Sequence, residues 1–236
     1  MTTQTTGHKI VLLGDSGVGK TCLISRFISG NFDANVNSTN GASYASKKIE
    51  YANLGKTLVL DIWDTAGQEK YKSLTKFFYK DAAMVILVYD ITRKESFDNL
   101  KNFWYTEIQQ YGDKDIILGI AGNKSDLYDN EAVPEKEARD FAKSIGAIFA
   151  LTSAQNNSGV NKLFEDIGNK FLDPNFQDKV QDNKIEREQA KSITLEKKQV
   201  IEQNKKEKNT IRIIFIIFPV FQLFIIFFKI SLLLIL

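Results

Sequence analysis

The octapeptide Gly14-Asp15-Ser16-Gly17-Val18-Gly19-Lys20-Thr21 matches the phosphate-binding pattern G-x-x-x-x-G-K-[S/T]. The apolar run 9–13 before it predicts a buried strand, and residues 22–28 after it have the apolar spacing of a helix. A glycine-rich turn between strand and helix directs backbone N–H groups and the positive helix end toward phosphates. We therefore predict that Lys20 reaches the β- and γ-phosphates and that the Thr21 hydroxyl holds Mg²⁺. The alternative is an ordinary glycine-containing turn, and the Lys-Thr pair argues against it.

The composition restricts the other kinds of chemistry open to this chain. Its 236 residues, 43% of them hydrophobic, suffice for one sizeable domain with a tail, or for two small domains. The formal net charge of +2 gives no overall basic character, so we expect no nucleic-acid partner. The only histidine is His8, which excludes a histidine metal cluster, and the only cysteine, Cys22, cannot form a disulfide within the chain. The first six residues lack the pattern of a secretory signal.

Strand-like and helix-like segments alternate over residues 9–172, which is typical of an α/β domain with a mostly parallel sheet. The six predicted strands cover residues 9–13, 47–51, 57–63, 83–89, 116–120 and 147–151. Helices are predicted after the phosphate-binding loop, over 96–111, from Pro134 to just before Gly146 and over 160–171. The polar stretch 30–43 has no periodicity and predicts a long loop. The expected fold is a P-loop α/β domain with a six-stranded, mostly parallel sheet flanked by helices.

A second motif, Asp61-Ile62-Trp63-Asp64-Thr65-Ala66-Gly67-Gln68-Glu69, ends the third predicted strand. An aspartate at the carboxyl end of a strand beside a phosphate-binding loop can hold Mg²⁺, so Asp64 is the predicted metal ligand. The Gly67 N–H can face the γ-phosphate and Gln68 can orient an attacking water, which makes Gln68 the candidate catalytic residue. The alternative for Asp64 is a purely structural role as a helix N-cap.

Two further loops have the features of a guanine site. In Asn123-Lys124-Ser125-Asp126, the Asp126 carboxylate can accept the ring N–H and exocyclic amino hydrogens of guanine, a pair of donors that adenine lacks. A buried polar group left unpaired costs about 1–3 kcal/mol, so such a site rejects ATP as well as accepting GTP. Lys124 can lay its aliphatic stem along the base. The loop Thr152-Ser153-Ala154-Gln155 can touch the base through backbone N–H groups.

These four motifs, in this order, resemble the Ras superfamily of small GTPases, and the match covers about residues 8–172. Within it, Trp-Asp-Thr-Ala-Gly-Gln-Glu at 63–69 and Val-Tyr-Asp-Ile-Thr at 88–92 are similar to the Rab family. The resemblance implies a small G-domain over residues 8–173 that binds GTP and GDP with Mg²⁺ and hydrolyses GTP slowly. The implied nucleotide-binding residues are Ser16, Gly17, Val18, Gly19, Lys20, Thr21, Cys22, Phe32, Thr39, Gly67, Asn123, Lys124, Asp126, Ser153, Ala154 and Gln155. The implied Mg²⁺ ligands are Thr21, Thr39 and Asp64.

The resemblance also implies protein partners and a place in the cell. An exchange factor, a GTPase-activating protein and effectors would engage the switch loops. No arginine can be assigned from the sequence as a catalytic finger in cis, so the activating protein should supply one or an equivalent. Tyr44, Trp63 and Phe78 would form the aromatic triad that Rab effectors contact. The stretches 38–42 and 69–74 look most like the endosomal Rab subgroup, which implies vesicle traffic at the cytoplasmic face of an endosomal membrane.

Three features depart from the family pattern. The family's Ser-Thr-Ile-Gly switch sequence is here Ser38-Thr39-Asn40-Gly41, so Asn40 replaces an apolar, effector-facing residue. Gln155 stands where the family usually has lysine, and we expect a slightly lower affinity for the base. The C-terminal region contains no cysteine, so the family's prenylation is not expected on this chain.

Two other functions fit parts of the pattern. An ATP-dependent P-loop kinase would use the same phosphate-binding loop, but the Asn-Lys-x-Asp motif at 123–126 argues against it. A permanently GTP-loaded scaffold would use the same pocket with little hydrolysis, and the presence of Gln68 argues against that.

The chain beyond the predicted domain has two segments of different composition. Residues 174–210 are rich in Lys, Glu, Gln and Asn, which predicts a solvated, disordered linker. Residues 211–236 are almost wholly apolar. They predict either a membrane tail anchor or translated non-coding sequence from an AT-rich genome, in which case the natural C-terminus would carry prenylated cysteines. Either alternative predicts association with a membrane.

Overall fold

Six strands form one sheet in the order β2-β3-β1-β4-β5-β6. The structure, a computed structural model, describes residues 6–34, 39, 42–65 and 78–176. The strands are β1 (Gly7–Leu13), β2 (Ala42–Tyr51), β3 (Lys56–Thr65), β4 (Met84–Asp90), β5 (Ile117–Asn123) and β6 (Ile148–Thr152). β2 and β3 are antiparallel, whereas all other neighbours pair in parallel. The predicted six-stranded, mostly parallel sheet is confirmed.

Helices follow most of the strands, as the alternation of segments predicted. In the described residues they are α1 (Lys20–Ser29), α2 (Lys94–Asn99), α3 (Tyr105–Tyr111), α4 (Glu135–Ser144) and α5 (Val160–Leu172). A π-helical turn, Leu100–Trp104, joins α2 to α3 without leaving helical backbone angles. The helix predicted over 96–111 is therefore present, with one turn wound more widely than the rest.

Apolar side chains cover both faces of the sheet, as expected for strands with helices on either side. Successive strand residues point to opposite faces, so Ile10 and Leu12 join one apolar cluster while Val11 and Leu13 join the other. Residues of α1 and α5 complete the first cluster, and residues of α2, α3 and α4 complete the second. Every residue of β4 is buried. This rigid centre holds the loops that follow the strands.

The β2–β3 hairpin is longer than the sequence indicated. β2 begins at Ala42 rather than near residue 47, and it pairs with β3 from Ala42–Thr65 through Tyr51–Lys56. The predicted loop 30–43 therefore gives way to a strand at its end. Residues 43–46 have no apolar periodicity to reveal them, because an edge strand is stabilised here by backbone pairing. Gly55 closes the hairpin with a left-handed φ of 58°.

The carboxyl ends of β1, β3, β4, β5 and β6 meet at one edge of the sheet, because these five strands are parallel. The strand register places Leu12 opposite Asp64, Asp90 opposite Asn123, and Asn123 opposite Thr152. Open α/β sheets bind ligands outside this edge. All four sequence motifs therefore start from the edge where a ligand is expected.

The predicted segments beyond residue 176 lie outside the described residues, so the linker 174–210 and the tail 211–236 remain predictions. The same holds for the domain limits 8–173. Gly67, Gln68 and Asn40 also lie outside the described residues. Within the ranges that the structure describes, no helix has both the length and the apolarity needed to cross a membrane.

Candidate functional site

The phosphate-binding loop takes a tight path between β1 and α1. Gly14, Gly17 and Gly19 have φ angles of 147°, 75° and 96°, all in the region that favours glycine. A Cβ at Gly14 would lie 2.2 Å from the Val88 carbonyl oxygen, and one at Gly19 would lie 2.4 Å from the Asn123 amide nitrogen. The backbone can follow this path only because glycine occupies these positions.

Lys20 begins α1 and is almost fully buried under the loop. Its ammonium donates to the carbonyl oxygens of Gly14, at 2.7 Å, and Asp15, at 3.0 Å. Burial lowers the pKa of Lys20 to about 8, while the charges of Asp64 and Asp15 act in the opposite direction. A phosphate chain beside the ammonium would favour its charged form, so this position is electrostatically suited to an anion.

Three oxygen-bearing side chains converge at the predicted metal position. The Thr21 hydroxyl donates to Asp64 Oδ2 at 2.7 Å, and Thr39 Oγ1 lies 2.7 Å from Thr21 Oγ1 and 3.4 Å from Asp64 Oδ2. Asp64 Oδ1 is buried without a hydrogen-bond partner. Burial raises the pKa of Asp64, and the opposing effects of Thr21 and Lys20 do not cancel it. Hydroxyl and carboxylate oxygens are ligands that Mg²⁺ prefers, so these residues fit the metal.

Asn123 and Asp126 are placed for different roles. The buried Asn123 amide donates to the Val18 carbonyl oxygen at 2.8 Å, and its Oδ1 accepts a hydrogen bond from the Thr152 hydroxyl at 3.2 Å. Asn123 thus ties the phosphate-binding loop to the end of β6. Asp126 Oδ1 accepts a hydrogen bond of 2.5 Å from the Ser153 hydroxyl. The carboxylate proposed for guanine recognition is therefore oriented by the loop after β6.

Lys124 connects the same loop to β4. Its backbone is left-handed, with φ 65°, and its ammonium lies 2.6 Å from Asp90 Oδ2. Burial by itself would raise the pKa of Asp90, but hydrogen bonds from Lys124 and Thr92 hold it below its ordinary value. The Asp90 carboxylate therefore stays ionised and fixes the ammonium end of Lys124. Lys124 lines the cleft beside it.

A cleft of about 310 Å³ is lined by the phosphate-binding loop, the start of α1 and the loops after β5 and β6. All predicted nucleotide-binding residues that the structure describes line it, except Val18 and Ser153. These two are fully buried behind it, where Val18 accepts from Asn123 and Ser153 donates to Asp126. Phe32 is partly exposed at the cleft, where an aromatic ring can cover a base. The structure thus brings together the residues that four separate motifs supplied.

The predicted effector triad lies on and beside the outer part of the sheet. The rings of Tyr44 and Trp63 meet edge to face at 5.5 Å, and Tyr44 is 57% exposed. The Tyr44 hydroxyl donates to Asp61 Oδ1 at 2.7 Å, which raises the pKa of the phenol. Trp63 and Phe78 are half-buried and both pack against the second apolar cluster. The three side chains could therefore present aromatic surface to a partner.

Sequence reasoning missed the residues that hold the phosphate-binding loop from outside. Asp15 occupies a variable position of the motif, yet its carboxylate accepts from Trp104 Nε1 at 2.9 Å and from Asn99 Nδ2 at 2.7 Å. Arg93 Nη2 donates to the Ser16 carbonyl oxygen at 2.9 Å. Arg26, on α1, binds carbonyl oxygens of the loop after β6. The contacts of both arginines are to backbone oxygens, which leave no signal in a sequence.

Comparison with known proteins agrees with this geometry. A family model described as "Ras family" matches residues 9–173. Human Ras-related protein Rab-22A is 48% identical over 164 residues, which cover 69% of this chain and 82% of the relative. Human Ras-related protein Rab-31 is 45% identical over 169 residues, covering 70% and 85% of the two chains. Ras-related protein RABD2a of Arabidopsis thaliana is 42% identical over 156 residues, covering 66% and 75%. The chain therefore belongs to the Ras family of small GTPases and is related, within it, to the Rab proteins.

Proposed function

We propose that this GTPase uses the cleft to cycle between GTP- and GDP-bound states, and that its switch controls traffic between intracellular membranes. The observation that carries the proposal is the convergence of Lys20, Thr21, Thr39 and Asp64 beside a base loop bearing Asp126. A family relationship gives the reaction class, GTP hydrolysis. In this arrangement the proposed phosphate-binding and metal-binding side chains lie beside one another, which supports the proposal. The kinase alternative has no support from the family relationship.

The chemistry is the transfer of the γ-phosphoryl group to water, in which the bond to the bridging oxygen of GDP breaks. Lys20 and the backbone N–H groups of the loop neutralise charge on the phosphates. Thr21, Thr39 and Asp64 would hold Mg²⁺, which supplies charge neutralisation between the β- and γ-phosphates when bound. Gln68 is proposed to orient the attacking water. Intrinsic turnover in the Ras example of this chemistry is on the order of 10⁻⁴ s⁻¹, so such a site acts as a timer.

Selectivity for guanine is proposed to reside in Asp126, with Ser153 holding one of its oxygens. Lys124, tethered to Asp90, and Phe32 would cover the two faces of the base. The proposed base contacts of Ala154 and Gln155 come from the loop backbone. This division explains why Gln155 can replace the lysine usual in the family without removing the site.

The switch is proposed to operate through Thr39, whose hydroxyl lies 2.7 Å from that of Thr21. Loss of the γ-phosphate would remove a reason for Thr39 to remain there, and release of a loop is how hydrolysis becomes a signal in this class. Effectors, an exchange factor and an activating protein are proposed to contact the switch loops and the aromatic surface of Tyr44, Trp63 and Phe78. The cytoplasmic face of an endosomal membrane is the proposed place, from the likeness of residues 38–42 and 69–74 to the endosomal subgroup.

Single-turnover hydrolysis of bound GTP tests the proposal, with Mg²⁺ present or removed by a chelator. We expect slow hydrolysis that requires Mg²⁺ and no competition by ATP for binding. Gln68→Leu should retain GTP affinity and lose at least about tenfold of the rate stimulated by an activating protein, since it removes the orienting amide but not the phosphate site. An unchanged stimulated rate would exclude Gln68 as the catalytic residue. GTP that persists in the wild-type protein even with cell extract would favour the scaffold alternative.

A further inference from the structure

Arg26, near the end of α1, reaches across to the loop that follows β6. Its Nε donates to the Ala154 carbonyl oxygen at 2.6 Å and its Nη2 donates to the Gln155 carbonyl oxygen at 2.9 Å. Its Nη1 donates to the carbonyl oxygen of Gly30, just beyond α1. A guanidinium has five N–H donors in a rigid planar fork and can make these bonds together, which a lysine ammonium cannot do.

The two loop carbonyls belong to the backbone that borders the cleft. Ala154 and Gln155 both line it, and Ala154 is only 5% exposed. In a peptide group, donation to the carbonyl oxygen polarises the N–H of the same group and makes it a stronger donor. The bond from Arg26 to Ala154 therefore strengthens the N–H of Gln155. An N–H donor in this loop is complementary to the carbonyl oxygen of a guanine, whose donors would go to Asp126.

The same guanidinium lies beside the aromatic wall of the cleft. Arg26 Cζ is 5.9 Å from the centroid of the Phe32 ring, within the range of a cation–π contact. Gly30, which receives the third hydrogen bond, is two residues before Phe32. Arg26 thus contacts the loop expected at the edge of the base and the segment carrying the ring expected on its face.

We propose that Arg26 is a positioning residue for guanine recognition, which holds the loop of Ala154 and Gln155 and the ring of Phe32 around the base. The inference rests on the proposed guanine site and deepens it. Arg26 acts through its neighbours and does not itself contact the nucleotide. Its importance is greater here because Gln155 replaces the lysine usual at this position, so the hold of this loop on the base depends more on its backbone.

The test is the release of fluorescently labelled GDP from the full-length protein in the presence of Mg²⁺. Arg26→Gln should accelerate release by about tenfold, because two charge-assisted hydrogen bonds that order the loop are lost. Arg26→Lys should release GDP at an intermediate rate, since it keeps the charge but has a single nitrogen in place of the planar fork. The diphosphate of 2-aminopurine riboside lacks the carbonyl oxygen and the ring N–H of guanine but keeps a face for Phe32, so Arg26→Gln should accelerate its release less than that of GDP. A merely structural role would accelerate the release of both nucleotides equally.

Arg139→Gln is the matched control, because Arg139, like Arg26, combines a hydrogen bond from its guanidinium, to Glu135 Oε1 at 2.6 Å, with a ring contact, to Phe149 at 4.9 Å. It lies on α4 and does not line the cleft. Its nucleotide release should equal that of wild type. GDP release from Arg26→Gln at the wild-type rate, or equal acceleration with both nucleotides, would overturn the role of Arg26. A wild-type protein without preference for guanine nucleotides would instead contradict the proposed site.

Discussion

Asp126 is the residue on which the proposed choice of base depends, and a single atom decides that choice. In Asp126→Asn, one carboxylate oxygen becomes an amide that donates, so guanine's amino group meets a donor while the carbonyl oxygen of xanthine meets a partner. The remaining oxygen can still accept from Ser153. We expect GTP affinity to fall at least about tenfold and XTP affinity to rise. Competition binding with GTP, XTP and ATP measures this, and retained GTP affinity without any gain for XTP would refute the assignment.

The burial of Asp64 predicts how the stability of the folded protein depends on pH. Burial raises its pKa in the folded protein above the unfolded value, so the folded state binds more protons over the interval between them. The stability of the folded protein therefore falls as pH rises through that interval. At neutral pH the full free-energy cost of burying the ionised Asp64 carboxylate is present. The gap is the unfolding free energy of Asp64→Asn minus that of wild type. Without nucleotide and Mg²⁺, this gap should become smaller from neutral pH toward about pH 4, because wild type loses its cost there and the variant has none to lose. Urea unfolding at a series of pH values measures the gap, and a constant gap would contradict the prediction.

The candidate site residues that the sequence indicated are those whose side chains bear the proposed chemistry. Lys20, Thr21, Asp64 and Asp126 belong to short motifs after strands, and the parallel sheet brings strand ends together. Arg26 was missed, although it contacts two residues that line the cleft. Its partners there are the backbone carbonyl oxygens of Ala154 and Gln155. Every residue has such an oxygen, so only the folded backbone shows which ones a distant arginine can reach. Asn123 was found, but its ties to Val18 and Thr152 were not.

The π-helical turn Leu100–Trp104 brings two side chains of the helix to the phosphate-binding loop. Asn99 and Trp104 are five residues apart, which would place them about 140° apart around a regular α-helix. A π turn, with its i to i+5 hydrogen bonds, brings such residues closer to one face. Both side chains can then donate to the same Asp15 carboxylate. The hydrophobic spacing of 96–111 predicted a helix but contains no signal for this widened turn, just as residues 43–46 lack the apolar alternation that would have shown the start of β2.

The hydrogen bonds from Asn99 and Trp104 to Asp15 form a brace between the helix and the phosphate-binding loop. We expect this brace to couple the two elements energetically. Trp104→Phe removes the N–H donor to Asp15 while keeping an aromatic ring in the core, where Trp104 is 1% exposed. Each of Trp104→Phe and Asp15→Ala should accelerate GDP release and lower stability. The double variant should lose less unfolding free energy than the two single variants lose in sum. The difference should be about 1.5–3 kcal/mol, the strength of a hydrogen bond to a charged group. A double-mutant cycle in chemical unfolding measures the coupling, and strict additivity would show that the brace contributes nothing.

The apolar segment 211–236 is predicted to anchor the protein in a membrane. Residues 213–228 are apolar except for Gln222, and Lys229 interrupts the sequence before the final apolar run. A membrane span needs about 20 residues, which 213–236 supplies. About twenty apolar residues at roughly −0.3 to −0.6 kcal/mol each outweigh one lysine at roughly +3 kcal/mol. We therefore expect insertion to be favourable if this peptide is made, and the basic residues from Lys205 to Arg212 would keep the GTPase on the cytosolic side.

We accordingly expect the full chain to stay with membranes during alkaline carbonate extraction, and a chain ending at Asp173 to be soluble with unchanged GDP binding. The matched variant replaces Phe221, Phe224 and Phe227 with lysine, which adds three charges to the middle of the segment and makes insertion unfavourable by the same arithmetic. Loss of membrane retention in this variant, with nucleotide binding intact, supports an anchor that works through its apolarity. C-terminal peptide analysis of the native protein decides between the two origins of the segment. A peptide containing Phe221 to Phe228 supports the anchor, whereas a cysteine-terminated peptide shows that lipid attaches the protein instead.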